Sequence, residues 1–136
     1  MSMTDIRSAL VQAYEDGAFS IPTAWENVSY SPVSGTAWAQ VTLLPSEPSV
    51  GSLGDGGIDI HRGIMQIDLF YPRGGGDVPS NNKAQAIRAY FYAGRSFVYG
   101  GQSVTIMQSG RGPATVTEDG WFQMPVSVHY YARTRR

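Results

Sequence analysis

The chain has 136 residues, no cysteine, and 10 basic against 11 acidic side chains, a net charge of −1. That length fits one domain, which buries roughly 68–70% of the surface its unfolded chain exposes and so needs no disulfide or metal to fold. The missing cysteines exclude disulfide frameworks, thiol nucleophiles and cysteine-ligated zinc, and the balanced charge gives no global field toward nucleic acid or an acidic membrane.

The one basic run is Arg133–Thr134–Arg135–Arg136. It reads as a solvated end, so residues 130–136 are expected to be a partly mobile basic tail on a single domain spanning 1–136. No apolar run approaches the ~20 residues of a membrane span. Met1–Asp5 lacks the charged and apolar regions of a signal peptide, which leads us to expect a cytosolic site of synthesis and use. Sixteen glycines and eight prolines are dispersed between patterned segments, as in a β-rich domain with many loops.

Thr4 to Glu15 is predicted as a helix, with Ile6, Leu10, Val11 and Tyr14 on one face, Ser2 or Thr4 as cap and Gly17 as the left-handed stop. Ile21–Trp25 is an edge strand at most, because Pro22 lacks a donor. Asn27 to Gly35 reads as loop. Thr36 to Leu44 alternates, with Ala37, Ala39, Val41 and Leu43 on one face, and stops at Pro45. Pro45 to Gly57 has no periodicity and is longer than most connections in compact domains, which marks it as functional or mobile.

Ile58 to Tyr71 is predicted as a long strand. Ile58 and Ile60 share one parity, whereas Met65, Ile67, Leu69 and Tyr71 share the other. The slip suggests a β-bulge at Gly63 that returns both isoleucines to the same core. After a turn at Arg73–Pro79, Ser80 or Asn81 caps a second helix with Ala84, Ala86, Ile87, Tyr90 and Phe91 as its apolar stripe and Gly94 as its close. Strands are expected at Ser96–Tyr99, Ser103–Gln108, Ala114–Val116 and Trp121–Ala132. Pro125 suggests that the last of these is an edge or bulged strand. The grouping of elements predicts an α+β fold: a mostly antiparallel twisted sheet with two helices packed on one face.

Candidate chemistry is sparse. Asp59, His61 and Asp68 are the one His/carboxylate group close in sequence, and a metal site would need all three to converge. Ser127 and His129 share a strand face but have no carboxylate near in sequence to orient the imidazole. The glycine stretches Gly54–Gly57, Gly74–Gly76 and Gly100–Gly101 match no phosphate-loop pattern and read as turns. Tyr130–Tyr131–Ala132–Arg133 comes nearest to the interleaved aromatic and basic residues that stack nucleic acid. The exposure of Trp25, Trp38 and Trp121 is not legible.

Gly63–Pro72 (GIMQIDLFYP) with Arg73–Gly76, Ala84–Gly94 (AQAIRAYFYAG), Ser103–Met107 (SVTIM) and Gly120–Tyr131 (GWFQMPVSVHYY) together resemble a bacteriophage structural family. It is the phage-related domain grouped with lambda-type tail terminators, the minor tail protein U-like or tail completion proteins. The resemblance spans roughly Thr4 to Tyr131 and lies in strand and glycine patterns. It implies an α+β subunit of a ring, a hexamer, that caps the tail tube, stops its growth and presents the head-joining surface. It implies no enzyme activity and no cofactor. The implied partners are further copies of the chain, the major tail tube protein and a head completion or connector protein, with no membrane and no nucleic acid. The implied location is the virion tail, or the host cytoplasm during assembly. By position, the loops and the basic tail make Leu53, Asp55, Arg73, Asp77, Arg133 and Arg135 the assembly-interface candidates. The alternative reading from residues alone is a small-ligand or nucleic-acid binding module using Tyr130, Tyr131 and the arginine tail. A hydrolase built on His61 or His129 is a third.

Overall fold

The computed structural model describes residues 3–136. In chain order these form α1 (Met3–Asp16), β1 (Thr23–Trp25), β2 (Trp38–Pro45), β3 (Ser49–Val50), β4 (Ile58–Pro72), α2 (Val78–Tyr90), β5 (Ser96–Tyr99), β6 (Gln102–Arg111), β7 (Thr115–Val116) and β8 (Trp121–Arg135). The strands make one curled sheet in the order β1-β2-β4-β8-β6-β5, with β3 added to β4 and β7 to β8. The fold is α+β with two helices, but the sheet is mixed rather than purely antiparallel. β1 runs parallel to β2. The intervening segment, residues 26–37, is the dozen or so residues that a parallel connection requires.

Alternation divides the sheet into two faces. Ala39 and Val41 of β2, Met65, Ile67 and Leu69 of β4, Val104 and Ile106 of β6, and Met124, Val126 and Val128 of β8 point inward. They form one buried cluster with Leu10, Ala13 and Tyr14 of α1 and with Ala84, Ile87 and Phe91 from α2 and its end. Ile87 and Phe91 are fully buried. Each such side chain contributes about 1.5–3 kcal/mol relative to an exposed one. The helices therefore cover one face, as their apolar stripes require.

Several local expectations are corrected. Pairing runs without a break through Gly63 on both sides, to Tyr130 of β8 and Pro45 of β2. There is no bulge, so Ile60 and Met65 lie on opposite faces. Gly63 is glycine for a different reason. A Cβ there would meet the Tyr130 ring at its hydroxyl and, at 2.7 Å, at Cζ, and the Leu44 carbonyl at 2.9 Å. The bulge falls instead in β6, where the register shifts between Ile106 and Gln108 and leaves Met107 unpaired and half exposed.

Gly17 is not the left-handed stop of α1. That conformation falls on Ala18 (φ 50°), while a Cβ on Gly17 would meet the Phe19 ring at 2.7 Å. Thr4 lies inside the first turn of α1 rather than at a cap, and Ser2 lies outside the described residues. α2 starts earlier than expected, with Asp77 at the cap position and Pro79 in the first turn, where a missing N–H costs nothing. It ends at Tyr90, ahead of Gly94.

Pro125 sits in an inner strand, not at an edge. Its carbonyl accepts the Gly112 N–H at 2.9 Å, so its nitrogen faces the same side, where the chain leaves β6 before β7 begins. No ladder bond to β4 is lost. Finally, residues 130–135 are not a loose tail: they complete β8, paired with Ile58 to Gly63 of β4.

The fit of Tyr130 over Gly63 predicts that Gly63→Ala destabilises the fold by about 1–3 kcal/mol, the usual cost of overpacking. Urea unfolding of Gly63→Ala, Tyr130→Leu and the double variant checks this. The two changes should be strongly non-additive, whereas simple additivity would show that the tyrosine ring is not the obstacle.

Candidate assembly surface

β4 and β8 pair over 15 residues, so the two ends of this ladder are roughly 45–50 Å apart. The six interface candidates divide between those ends. Arg73 and Asp77 occupy the loop from β4 to α2 at one end. Arg73 lines a hollow of about 610 Å³ with Pro32, Gly35, Asp119 and Trp121. The Asp77 carbonyl accepts the Asn81 N–H at 2.9 Å and the Ser80 hydroxyl at 3.0 Å. Leu53, Asp55, Arg133 and Arg135 gather at the other end. There Arg135 pairs with Ile58 and Arg133 with Ile60, on the sheet face away from the helices.

The loop at that end is built by Arg136, a residue of the basic run expected to be mobile. The Arg136 guanidinium donates to the carbonyls of Gly54 (3.0 and 3.3 Å), Ile58 (3.3 Å) and Ser52, and forms an ion pair with Asp59. The Arg136 N–H donates to the Gly57 carbonyl at 2.8 Å. Gly57 is buried beneath the guanidinium, and a Cβ there would strike it. Inside the loop the Ser52 hydroxyl accepts the Ile58 N–H at 2.8 Å, and β3 pairs Ser49 and Val50 with Ile60 and Asp59. A planar cation with five donors can satisfy several converging carbonyls at once, which lysine cannot. The segment thus closes as a bound hairpin with Leu53 at its tip. No periodicity announces it, because its order comes from one distant side chain.

The structure separates the sequence-level chemical candidates. Asp59 and His61 point to the helix-covered face and Asp68 to the other. Asp59 is engaged by Arg136, His61 Nε2 shares a 2.8 Å hydrogen bond with the Thr134 hydroxyl, and Asp68 accepts from Gln66 Nε2 at 3.0 Å. Among the described residues no cluster of His, Cys, Asp and Glu could hold a metal ion. Ser127 and His129 lie half-buried on the uncovered face, opposite Gln66 and Ile64. The Asp68 carboxylate, opposite Pro125, is about 14 Å along the strand from His129. Tyr130 and Tyr131 point to opposite faces. Tyr130 is buried in the core, which leaves of these two only Tyr131, half-buried, with the exposed Arg133 guanidinium 5.9 Å from its ring.

The uncovered face also carries an aromatic group. Trp38 stacks on Phe70 at 4.1 Å, Trp121 meets Trp38 edge-on at 6.1 Å, and Tyr30 brings the 27–35 loop against Trp38 at 5.2 Å. Trp25 instead packs edge-on against Tyr14 of α1 at 5.5 Å. At the far side of the sheet β5 has no strand beyond it among the described residues. Ile106 N–H donates to the Arg95 carbonyl, which sets the phase of the pairing. By alternation, the Ser96 and Val98 backbone groups face the open edge. Val98 is 68% exposed, and β5 carries neither charge nor proline to guard it.

These features make a protein of surfaces: open edges, projecting loops and an uncovered sheet face, with polar groups engaged in structure. The chain belongs to the phage tail terminator protein family, whose model matches residues 5–130. It is therefore a structural component of the phage tail and of the virion, from a family that is not enzymatic. A solved structure is similar to it with a TM-score of 0.73 and 26% identity, covering 97% of this chain and 96% of its own length; its name describes no activity. No curated protein matches the chain. Among the described residues no helix is long and apolar enough to cross a membrane.

Two predictions follow from this geometry. Arg136→Ala should release the hairpin while leaving the core intact. Amide exchange at Ser52, Gly57 and Ile58 should then quicken roughly tenfold or more, given about 1.5–3 kcal/mol for hydrogen bonds to a charged group. Unchanged exchange there would show that the guanidinium does not hold the loop. Separately, burial pushes the hydroxyls of Tyr130, Tyr71 and Tyr14 above the ordinary 10.0, with the Thr23 hydrogen bond countering part of the effect at Tyr14. The folded chain thus holds these protons more tightly than the unfolded chain. Their stabilisation is complete below pH 10 and is lost as pH rises through the folded values. Urea midpoints should fall above about pH 10, and Tyr130→Phe should flatten that fall.

Proposed function

We propose that this chain caps the tail tube as a ring, a hexamer, which stops tube growth and provides the surface to which the head joins. Membership of the tail terminator family is the observation that carries this reading. The geometry agrees with it in kind. A ring repeats one heterologous contact in which two different patches of the subunit meet. Here β1 and β5 are the two opposite edges of the sheet. A stable contact needs about 800 Å² from each partner, more than one loop supplies, so edge strands and loops would act together. The two ends of the β4–β8 ladder then serve two neighbours. Leu53, Asp55, Arg133 and Arg135 would face one of them and Arg73 and Asp77 the other, these being the major tail tube protein and a head completion or connector protein. Assembly takes place in the host cytoplasm, with no cofactor and no reaction.

The experiment is capping itself. Purified chain added to growing tail tubes should arrest their length and leave a ring of density at one end in electron micrographs. Charge reversal at Arg73 together with Asp77, or at Arg133 together with Arg135, should impair attachment on one side of the ring only. Tubes that keep growing with bare ends at saturating protein would remove the capping role.

A further inference from the structure

Leu53 is 89% exposed, at the tip of a hairpin that Arg136 holds in place. Beside it stands Asp55, exposed and with no ion pair among the described residues. A preorganised apolar side chain loses little freedom on docking, which is what makes such a tip an anchor. The same chain carries a hollow of matching character. A cavity of about 320 Å³ opens between the start of α1 and the end of β2, with walls from Met3, Ile6, Leu43, Pro45 and Tyr130. Arg7, exposed and with no ion pair among the described residues, lines it as well. Arg62 and Glu26 line it too, and the Glu26 carboxylate accepts the Leu43 N–H, so two guanidinium groups stand at the cavity against one engaged carboxylate. The tip offers an apolar group with an anion beside it, and the cavity offers apolar walls with an excess of cations beside them.

The tip cannot fill the cavity of its own chain. From Pro45, level with Gly63 of β4, the chain runs outward through β3 past Asp59 before it turns. The cavity lies level with His61 and Arg62, about 15 Å back along the strand. We propose that Leu53 of one copy inserts into the cavity of a second copy, with Asp55 meeting Arg7. Tip and cavity are different patches, so the contact is heterologous and repeats from copy to copy. The inference deepens the proposed ring by naming its anchor: Arg136 is the positioning residue, and edge strands supply the remaining area.

The absence of cysteine allows a direct test. Thr4 is exposed and lines the cavity. Oxidation of a Leu53→Cys/Thr4→Cys chain should give a covalent ladder of multiples, both free at high concentration and on tail tubes, while each single variant should give none. Leu53→Asp, a change at an exposed position, should weaken self-association tenfold or more. Asp55→Arg should weaken it by roughly two- to fivefold, the effect of one exposed ion pair, and an equal mixture with Arg7→Asp should restore it. A ladder without tube binding keeps this contact and removes the capping role. Capped tubes whose double-cysteine subunits remain unlinked overturn this contact and leave capping standing. A chain that forms no ladder in either setting overturns it too.

Discussion

The rest of the molecule depends on the pairing of β4 with β8. Fifteen consecutive residues of each strand are matched, from Ile58 with Arg135 to Pro72 with Trp121. Every other strand attaches to this ladder directly or through one neighbour: β2 and β3 to β4, β6 and β7 to β8, then β1 and β5 outside them. Because side chains alternate strictly, one register decides the face of every residue on both strands. A slip by one residue would turn Met65, Ile67 and Leu69 out and Arg62, Gln66 and Asp68 in, a change that no helix packing could tolerate.

The ladder also accounts for the special positions around it. Gly63 admits the Tyr130 ring, Gly57 admits the Arg136 guanidinium, and Gly112 comes so close to Pro125 that a Cβ would meet its Cγ at 2.9 Å. In each case the glycine stands against a bulky side chain from β8 or its end. These residues answer to close approach across strands rather than to turn geometry. The helices then seal one face and leave the other to polar groups and the Trp38–Phe70–Trp121 group. An uncovered face and an unguarded edge at β5 suit a subunit that is finished by its neighbours.

Much of this was legible in the sequence. Strict alternation marks β2 and β8, alternation that slips at Gly63 marks β4, and helical spacing marks α1 and α2, because each turns its main apolar face to one core. One expectation rests on every apolar residue reaching a single core. A bulge at Gly63 would bring Ile58 and Ile60 inward, yet they sit on the uncovered face near Arg133 and Arg135. Pro125 suggests an edge or a bulged strand, yet it lies in an inner strand, where a gap between β6 and β7 accommodates its missing donor. The hairpin around Leu53 and the ordered end of β8 were invisible because residues distant in sequence hold them. Of the interface candidates, Leu53 could be placed in a loop from sequence, but the rigidity of its tip could not. The separation of Arg73 and Asp77 from the other four required the register of the long ladder.

That ladder has a consequence for how the chain comes into being. Its two strands are far apart in sequence, with α2, β5, β6 and β7 between them. Non-local pairing of this kind is the slow part of folding. On a ribosome, β4 is complete at Pro72, but its partner is not available until residue 135 has emerged. At 5–20 residues per second the wait is roughly 3–13 s. Through that interval the inward face of β4 has no sheet to join on its β8 side, and β5 and β6 have no central strand to lie against. The cell must therefore shelter an unfinished sheet for seconds, with its apolar strand faces open to neighbouring nascent chains.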